Sequence, residues 1–207
     1  MNIREIKPNE IEAESMRLIG LEMPEWKGQP EELPVVKRVI HTTADFEFAN
    51  TLRFSPEAVK KARAALKKGA VIVTDTNMAA SGINKAACAK YGCKVVCRMA
   101  EPEIKAEAES RGVTRAVVSM EAAARETPEA IFAIGNAPTA LIRLCELIEE
   151  GRCTPALVVG VPVGFVNVVE SKEILLRTKV PYIAAVGRKG GSPVASTILN
   201  ALLYGID

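Results

Sequence analysis

Short apolar runs rich in valine and isoleucine recur along this chain, and they constrain its fold more than any other feature. Helix-like segments separate the runs, which occupy residues 70–73, 94–97, 130–134, 156–160 and 182–186. Continuous apolar runs of this kind are typical of strands that are buried on both faces of a parallel sheet. Because these strands alternate with helix signals, the sequence predicts an α/β fold with helices on both sides of one sheet.

Helix signals lie between the predicted strands. Ser55, Pro56 and Glu57 offer an N-cap, a proline for the first helical position and an acid in the first turn. A further apolar stripe at helical spacing consists of Leu141, Leu144, Cys145 and Ile148. The prediction is a three-layer α/β/α architecture with an open, mainly parallel sheet of about five strands. The residues before position 50 precede the alternation and predict an N-terminal helical extension, all within one domain over residues 1–207.

The charge balance argues against several classes of partner. The chain carries 27 basic and 25 acidic residues, a net charge of +2, whereas nucleic-acid binding usually needs a strong basic excess or stripe. No apolar run approaches the roughly 18 residues that suggest a membrane span. The first residues contain no apolar signal-peptide core. We therefore expect a cytoplasmic protein that binds neither nucleic acid nor a membrane.

The cysteines form an odd set of five without a Cys-x-x-Cys pair. Such a set predicts reduced, mostly buried thiols, in agreement with a cytoplasmic location. A metal site at Cys88, Cys93 and Cys97 is the less favoured alternative, because the single histidine of the chain lies far away in sequence. The sequence accordingly predicts no metal site.

The single histidine, His41, is the leading candidate for proton transfer. Histidine is the only side chain whose ordinary pKa lies between about 5 and 8. Pro34 suits the first turn of a helix, and the apolar face of that helix would contain Val35, Val36, Val39, Ile40 and Thr43. His41 lies off that face, in a column with Lys37 and Asp45. If the helix reaches Asp45, the Asp45 carboxylate is expected to orient the imidazole of His41. The alternative is that His41 has only a structural role.

Four polar or glycine-rich stretches follow predicted strands, where ligands bind in open α/β sheets. They are residues 74–82, 135–139, 160–165 and 187–192. The last combines two cations with small residues and a helix start, which favours anionic ligands, although tight turns with solvated cations explain the same pattern. No Gly-x4-Gly-Lys-[Ser/Thr], Gly-x-Gly-x-x-Gly or Gly-x-Ser-x-Gly motif occurs. Nucleotide binding and hydrolase chemistry therefore have no sequence support.

Six ordered motifs together resemble the precorrin-8X methylmutase family of corrin-ring biosynthesis, over nearly the whole chain. They occupy residues 11–17, 38–46, 74–79, 135–141, 163–167 with 170–173, and 187–192. Members of this family move a methyl group from C-11 to C-12 of precorrin-8 or cobalt-precorrin-8, which gives hydrogenobyrinate or cobyrinate. The resemblance implies the same isomerase activity in cobalamin biosynthesis, with a tetrapyrrole substrate and no cofactor.

The resemblance also implies which residues form the site. The catalytic histidine of the family falls on His41, whose role would be to protonate or hydrogen-bond a ring nitrogen. Residues implied to contact the substrate are Ser15, Thr42, Thr43, Arg115, Arg188, Lys189, Gly190, Gly191 and Ser192. Basic heads, hydroxyls and helix N-termini of this kind suit the many carboxylates of a tetrapyrrole. A homodimer is expected as well.

Two other functions remain open at this point. One is a non-catalytic carrier that binds or protects a tetrapyrrole, which would tolerate the loss of His41. The other is a nucleotide- or dinucleotide-binding α/β enzyme, which the missing glycine motifs disfavour.

Overall fold

The structure is a computed structural model that describes residues 5–206. Its strands are β1 (Leu52–Phe54), β2 (Val71–Thr74), β3 (Lys94–Val96), β4 (Ile131–Ile134), β5 (Leu157–Gly160) and β6 (Tyr182–Ala185). They form one six-stranded sheet in the order β1-β6-β5-β4-β2-β3. Every neighbouring pair is parallel except β1 and β6, which are antiparallel. The predicted mainly parallel sheet is confirmed.

Helices cover both faces of this sheet. They are α1 (Ile11–Glu22), α2 (Leu33–Thr43), α3 (Phe48–Thr51), α4 (Ala58–Lys67), α5 (Asn77–Gly82), α6 (Lys85–Tyr91), α7 (Pro102–Arg111), α8 (Arg115–Glu126), α9 (Pro138–Glu149), α10 (Val168–Leu176) and α11 (Ser192–Tyr204). A short 3-10 turn, Pro30–Glu32, precedes α2. Within residues 5–206, no helix combines the length and the apolar character needed to cross a bilayer.

The central strands separate two apolar layers. In β4, Ile131 and Ala133 face the layer that includes α2, α4, α6 and α11, whereas Phe132 and Ile134 face the layer of α8, α9 and α10. Successive strand side chains point to opposite faces, so a strand covered on both sides must be apolar throughout. All four residues of β4 are indeed buried. The three-layer α/β/α class predicted from the sequence is confirmed.

The strand predictions are confirmed with one addition. The five predicted strands match β2 to β6, and each boundary agrees within one residue. The sixth, β1, is an edge strand of three residues, whose Leu52 is buried, Arg53 exposed and Phe54 half-buried. The sequence has no continuous apolar run at β1, and an alternation over three residues is too short to predict a strand. An edge strand with one solvated face needs no continuous apolar run.

The predicted N-cap at Ser55 is wrong. Its backbone N–H donates to the Tyr182 carbonyl at 3.0 Å, and its hydroxyl accepts from the Tyr182 N–H at 2.9 Å. Ser55 thus extends the pairing between β1 and β6 rather than opening a helix. The helix, α4, starts three residues later, after Glu57 in a left-handed conformation with φ 59°.

The N-terminal helical extension is confirmed, and α2 is an integral part of the core. Val35, Val36, Val39 and Ile40 are buried on its predicted face, where α2 packs against α11. Pro34 lies in its first turn, where a missing N–H costs nothing. The position of His41 near the end of α2 is therefore held by the packing of the whole helix.

Strand order reverses between β2 and β4. The chain leaves β2 for β3 at one edge and later returns to β4 on the other side of β2. Such a reversal opens a crevice at the carboxyl ends of the two strands, where ligands bind in open α/β sheets. The residues 74–82 and 135–139, which the sequence singled out, follow these two strands.

Candidate active site

His41 presents an exposed imidazole, off the buried face of α2 as predicted. Its Nδ1 atom lies 2.8 Å from the hydroxyl oxygen of Ser15 on α1. A second bond between the same helices runs from Arg38 to the Glu12 carboxylate at 2.7 Å. The Nε2 atom has no protein partner among residues 5–206, so this nitrogen is available to a ligand.

The expected contact between His41 and Asp45 is wrong. The helix ends at Thr43, and a left-handed residue with φ 52° then turns the chain out of the helical column. Asp45 instead accepts a bond of 2.5 Å from the Lys189 ammonium and one of 2.9 Å from the Glu47 backbone N–H. These donors, with Lys189 first, hold the pKa of Asp45 below its ordinary value.

Lys189 joins the segment after α2 to the loop between β6 and α11. Its ammonium lies 2.7 Å from the Glu47 carboxylate in addition to its bond with Asp45. The two carboxylates raise the pKa of Lys189. All three side chains reach solvent, where an ion pair contributes little stability. Lys189 can therefore exchange these partners for a carboxylate of a ligand at small cost.

The two threonines that follow His41 differ in their contacts. Thr42 Oγ1 lies 3.0 Å from Thr197 Oγ1 and thereby connects α2 to α11. Thr43 Oγ1 donates to a carbonyl one turn earlier at 2.8 Å and accepts from the Asp45 N–H at 3.3 Å. Thr42 Oγ1 also donates to the Arg38 carbonyl at 3.1 Å, so both hydroxyls have protein partners, although Thr42 is exposed and Thr43 is half-buried.

The loop between β6 and α11 follows a path that requires glycine. Gly187, Gly190 and Gly191 have φ values of 81°, 158° and 127°. A Cβ atom at Gly190 would collide with the carbonyl of Val161. Since other residues rarely adopt such φ values, this backbone shape depends on the sequence Gly187-Arg188-Lys189-Gly190-Gly191.

Arg188 and Ser192 lie near opposite ends of this loop, and Arg188 is exposed whereas Ser192 is buried. The Arg188 guanidinium lies 5.4 Å from the ring centre of Phe165, itself a largely exposed side chain. Ser192 is buried at the start of α11, with its Oγ 2.8 Å from Thr76 Oγ1 after β2. The loop therefore reaches the crevice between β2 and β4.

Asp75 connects the two loops that line that crevice. Its fully buried carboxylate accepts backbone N–H groups from Gly135 at 2.9 Å and from Asn136 and Ala137, each at 2.7 Å. Burial raises the pKa of Asp75, while the three donors act in the opposite direction. Asp75 thus fixes the loop after β4 to the end of β2.

Arg115 stands apart from the other candidate residues. It is the exposed first residue of α8, whose N-cap Thr114 accepts from the Val117 N–H. Thr114 Oγ1 also lies 3.1 Å from Thr139 Oγ1 at the start of α9, which places Arg115 at the carboxyl edge of the sheet. No contact in residues 5–206 joins Arg115 to His41. The structure unites Ser15 with His41 and links Lys189 to the segment after α2, but it leaves Arg115 separate.

Three residues with evident structural roles at this edge were missed from the sequence. Asp75 and Thr76 lie in a loop that the strand pattern had marked, yet their partners are 60 to 116 residues away. Thr197, the partner of Thr42, lies 155 residues away from it on α11. No local pattern signals a hydrogen bond over such distances in sequence.

A concavity beside the sheet does not coincide with these polar groups. A cavity of about 770 Å³ lies at the amino ends of the strands, between residues such as Ala70, Val71, Ala130 and Ala156. Its lining includes Lys61, Lys68 and Glu129, but parallel sheets bind ligands at their carboxyl ends. We therefore locate the candidate active site by its polar groups rather than by this cavity.

The cysteines are mostly buried, as predicted. Cys88, Cys93, Cys145 and Cys153 are buried, whereas Cys97 is half-buried. Burial raises the pKa of Cys145 to about 12 and that of Cys153 to about 11. In residues 5–206, no group of three or more His, Cys, Asp or Glu side chains is arranged to hold a metal ion.

Comparisons with known proteins give one consistent family. The family described as precorrin-8X methylmutase matches residues 10–205. A protein of Salmonella typhimurium named cobalt-precorrin-8 methylmutase is 44% identical over 204 residues, which cover 96% of this chain and 95% of that protein. A protein of Pseudomonas aeruginosa named precorrin-8X methylmutase is 40% identical and covers 84% of this chain and 85% of its own length. The solved structure of a precorrin-8X methylmutase from Thermus thermophilus superimposes with a TM-score of 0.87 at 42% identity, covering 94% of this chain and 96% of that chain.

Proposed function

This chain belongs to the precorrin-8X methylmutase family, and we propose that it moves a methyl group from C-11 to C-12 of precorrin-8 or cobalt-precorrin-8. The product is hydrogenobyrinate or cobyrinate, so the protein acts as an isomerase in cobalamin biosynthesis. The rearrangement is intramolecular, and the protein's task is to bind the ring, orient it and manage charge at one ring nitrogen.

The observation that carries this proposal for the site is the pair formed by Ser15 and His41. With the Ser15 hydroxyl on Nδ1, the opposite ring nitrogen, Nε2, remains available at the surface. If Ser15 donates to Nδ1, the neutral imidazole carries its proton on Nε2. If the imidazole is charged, Nδ1–H donates to Ser15 and Nε2 again bears a proton. In either of these states His41 offers an N–H donor to a ring nitrogen of the substrate, whereas a neutral imidazole with its proton on Nδ1 would leave Nε2 as an acceptor.

The proposed substrate contacts other than Ser15 would hold the carboxylates of the ring's side chains. Arg188 is exposed beside the site and can bind a carboxylate through two parallel N–H donors. Lys189 exchanges weak surface partners for a ligand carboxylate, and Arg115 supplies a further cation at the same edge of the sheet. The remaining proposed contacts are Thr42, Thr43, Gly190, Gly191 and Ser192.

A homodimer in the cytoplasm, built from a single domain over residues 1–207, completes the proposal. The separate position of Arg115 on one protomer agrees with a site that a second copy helps to enclose. Sedimentation velocity would test the dimer directly, with a monomer at micromolar concentration as the opposing result. We expect neither nucleic acid nor a membrane as partner.

The experiment that tests the reaction follows the visible spectrum after the protein is mixed with precorrin-8 or cobalt-precorrin-8. Migration of the methyl group changes the conjugation of the ring, so the spectrum of hydrogenobyrinate or cobyrinate should replace that of the substrate. An unchanged spectrum with both substrates, under conditions where binding is demonstrated, would refute the proposal.

The variant His41→Asn separates an enzyme from a carrier. For an enzyme, it should still bind the ring while its turnover falls by about 100-fold or more, the usual effect of losing a general acid. The exposed Glu103→Gln on α7 serves as the matched control and should turn over normally. If wild type and His41→Asn both bind the ring and neither converts it, the carrier is the correct description.

A further inference from the structure

Lys172 is buried without an acidic partner beneath the loop that leads to α11. It lies on α10, and only 1% of the residue is exposed. In residues 5–206, no carboxylate lies within ion-pair distance of its ammonium. Burying an unpaired ammonium is costly, so such a group is expected to have strong hydrogen-bond acceptors.

The acceptors of Lys172 are two carbonyl groups of the same loop. Its Nζ atom donates to the Gly187 oxygen and to the Lys189 oxygen, each at 2.8 Å. Two carbonyl oxygens that converge on one point repel each other unless a positive charge lies between them. The ammonium therefore stabilises a turn that is otherwise unfavourable. Burial lowers the pKa of Lys172 to about 8, which leaves most of it charged at neutral pH.

The peptide groups held by Lys172 direct two N–H donors to the other side of the loop. In a trans peptide, the N–H of the next residue points opposite to the carbonyl. The N–H groups of Arg188 and Gly190 therefore point away from the ammonium. Neither one donates to a protein acceptor within the described residues. Free N–H groups close together in a glycine-rich turn form a concave site for an anion.

We propose that Lys172 is a positioning residue, which holds the Gly187–Lys189 turn so that the N–H groups of Arg188 and Gly190 and the Arg188 side chain bind one carboxylate of the substrate. This inference rests on the proposed function, because it assigns a particular contact to the loop that should bind the tetrapyrrole. Lys172 itself touches no substrate; it acts through the carbonyls of Gly187 and Lys189.

The test compares Lys172→Met with Lys179→Met. Methionine is close to lysine in length and lacks the donors, whereas Lys179 is an exposed lysine just beyond the same helix. Lys172→Met should raise KM for the substrate, and Kd for cobyrinate, by about tenfold, with kcat within about threefold of wild type, as expected for loss of uniform binding. Lys179→Met should match wild type in all three constants.

A second ligand shows whether the lost contact is made to a carboxylate. Fully esterified cobyrinate keeps the ring and lacks the charges, so Lys172→Met and wild type should bind it equally. The proposal is overturned if Lys172→Met binds cobyrinate as wild type does, if it loses the ester to the same degree, or if kcat alone falls.

Measurements on the unmodified protein decide the matter if Lys172→Met does not fold. Amide hydrogen exchange at Arg188 and Gly190 should slow by about tenfold or more with cobyrinate and remain unchanged with the ester. Exchange of the Lys172 ammonium protons should slow with cobyrinate as well, because the loop that covers them is held more tightly. Unchanged exchange at either place, with binding demonstrated, overturns the proposal. Absence of both binding and turnover in wild type would instead refute the proposed function.

Discussion

The Ser15 hydroxyl and the Nδ1 atom of His41 lie 2.8 Å apart, although 26 residues separate them in the chain. The contact spans two helices and fixes the orientation of an otherwise exposed imidazole. An exposed histidine normally samples several rotamers, so one hydrogen bond to Nδ1 restricts where Nε2 points. This orientation matters because proton transfer requires the donor and acceptor to be within hydrogen-bond reach.

Ser15→Ala should therefore slow the reaction without abolishing it. We expect kcat to fall by about tenfold, the effect of losing one hydrogen bond that orients the proton donor. The measurement is the rate of spectral change with saturating substrate. Ser110→Ala, an exposed serine on α7, is the matched control. A Ser15→Ala enzyme with wild-type kcat would show that Ser15 does not orient His41 during turnover.

Asp75→Asn should destabilise the fold. The amide nitrogen of asparagine would face at least one of the N–H groups of Gly135, Asn136 and Ala137, and two donors repel each other. An unsatisfied buried polar group costs about 1 to 3 kcal/mol. Urea unfolding should show a loss of about 2 kcal/mol relative to wild type. Glu173→Gln, an exposed acid-to-amide change on α10, should be close to neutral, and equal stability of the two variants would contradict the bracing role of Asp75.

The free energy of unfolding should depend on pH through Lys172. Burial lowers its pKa from 10.5 to about 8. Below about pH 8 the group is charged in both states, and its burial opposes folding. Between about pH 8 and 10.5 the unfolded chain binds the proton and the folded protein releases it, so stability from this group rises with pH.

The comparison with Lys172→Met isolates this contribution. Over that range, the unfolding free energy of wild type minus that of Lys172→Met should increase by about 1 to 3 kcal/mol, since one unit of pKa shift corresponds to about 1.4 kcal/mol. Chemical denaturation at pH 7.5, 9 and about 10.5 provides the measurement. A constant difference across these conditions would mean that the folded ammonium keeps an ordinary pKa.

The buried thiols should resist alkylation in the folded state. The pKa of Cys145 is raised to about 12 and that of Cys153 to about 11, and the thiolate is the reactive form. At pH 8, iodoacetamide should label Cys97 first, because it is the half-buried cysteine. Mass spectrometry of digested protein identifies the labelled sites, and urea-unfolded protein serves as the control. Rapid labelling of Cys145 in folded protein would contradict this expectation.

Local sequence patterns predicted most of the framework. The apolar runs located β2 to β6 within one residue at each boundary, because strands covered on both faces require apolar side chains throughout. The buried face of α2 followed from its helical period in the same way. Patterns failed where a neighbouring strand decided the outcome: Ser55 has the chemistry of an N-cap, but Tyr182 pairs with it instead.

The sequence by itself determined the fold class, the family and the choice of His41, since these depend on periodicity and on ordered motifs along the chain. Only the tertiary structure decided what surrounds His41. It pairs Ser15 with the imidazole, gives Asp45 to Lys189 and places the Lys172 ammonium beneath a glycine-rich turn. The physical reason is that a hydrogen bond is decided over about 3 Å in space, whereas periodicity reports only which face of an element is buried.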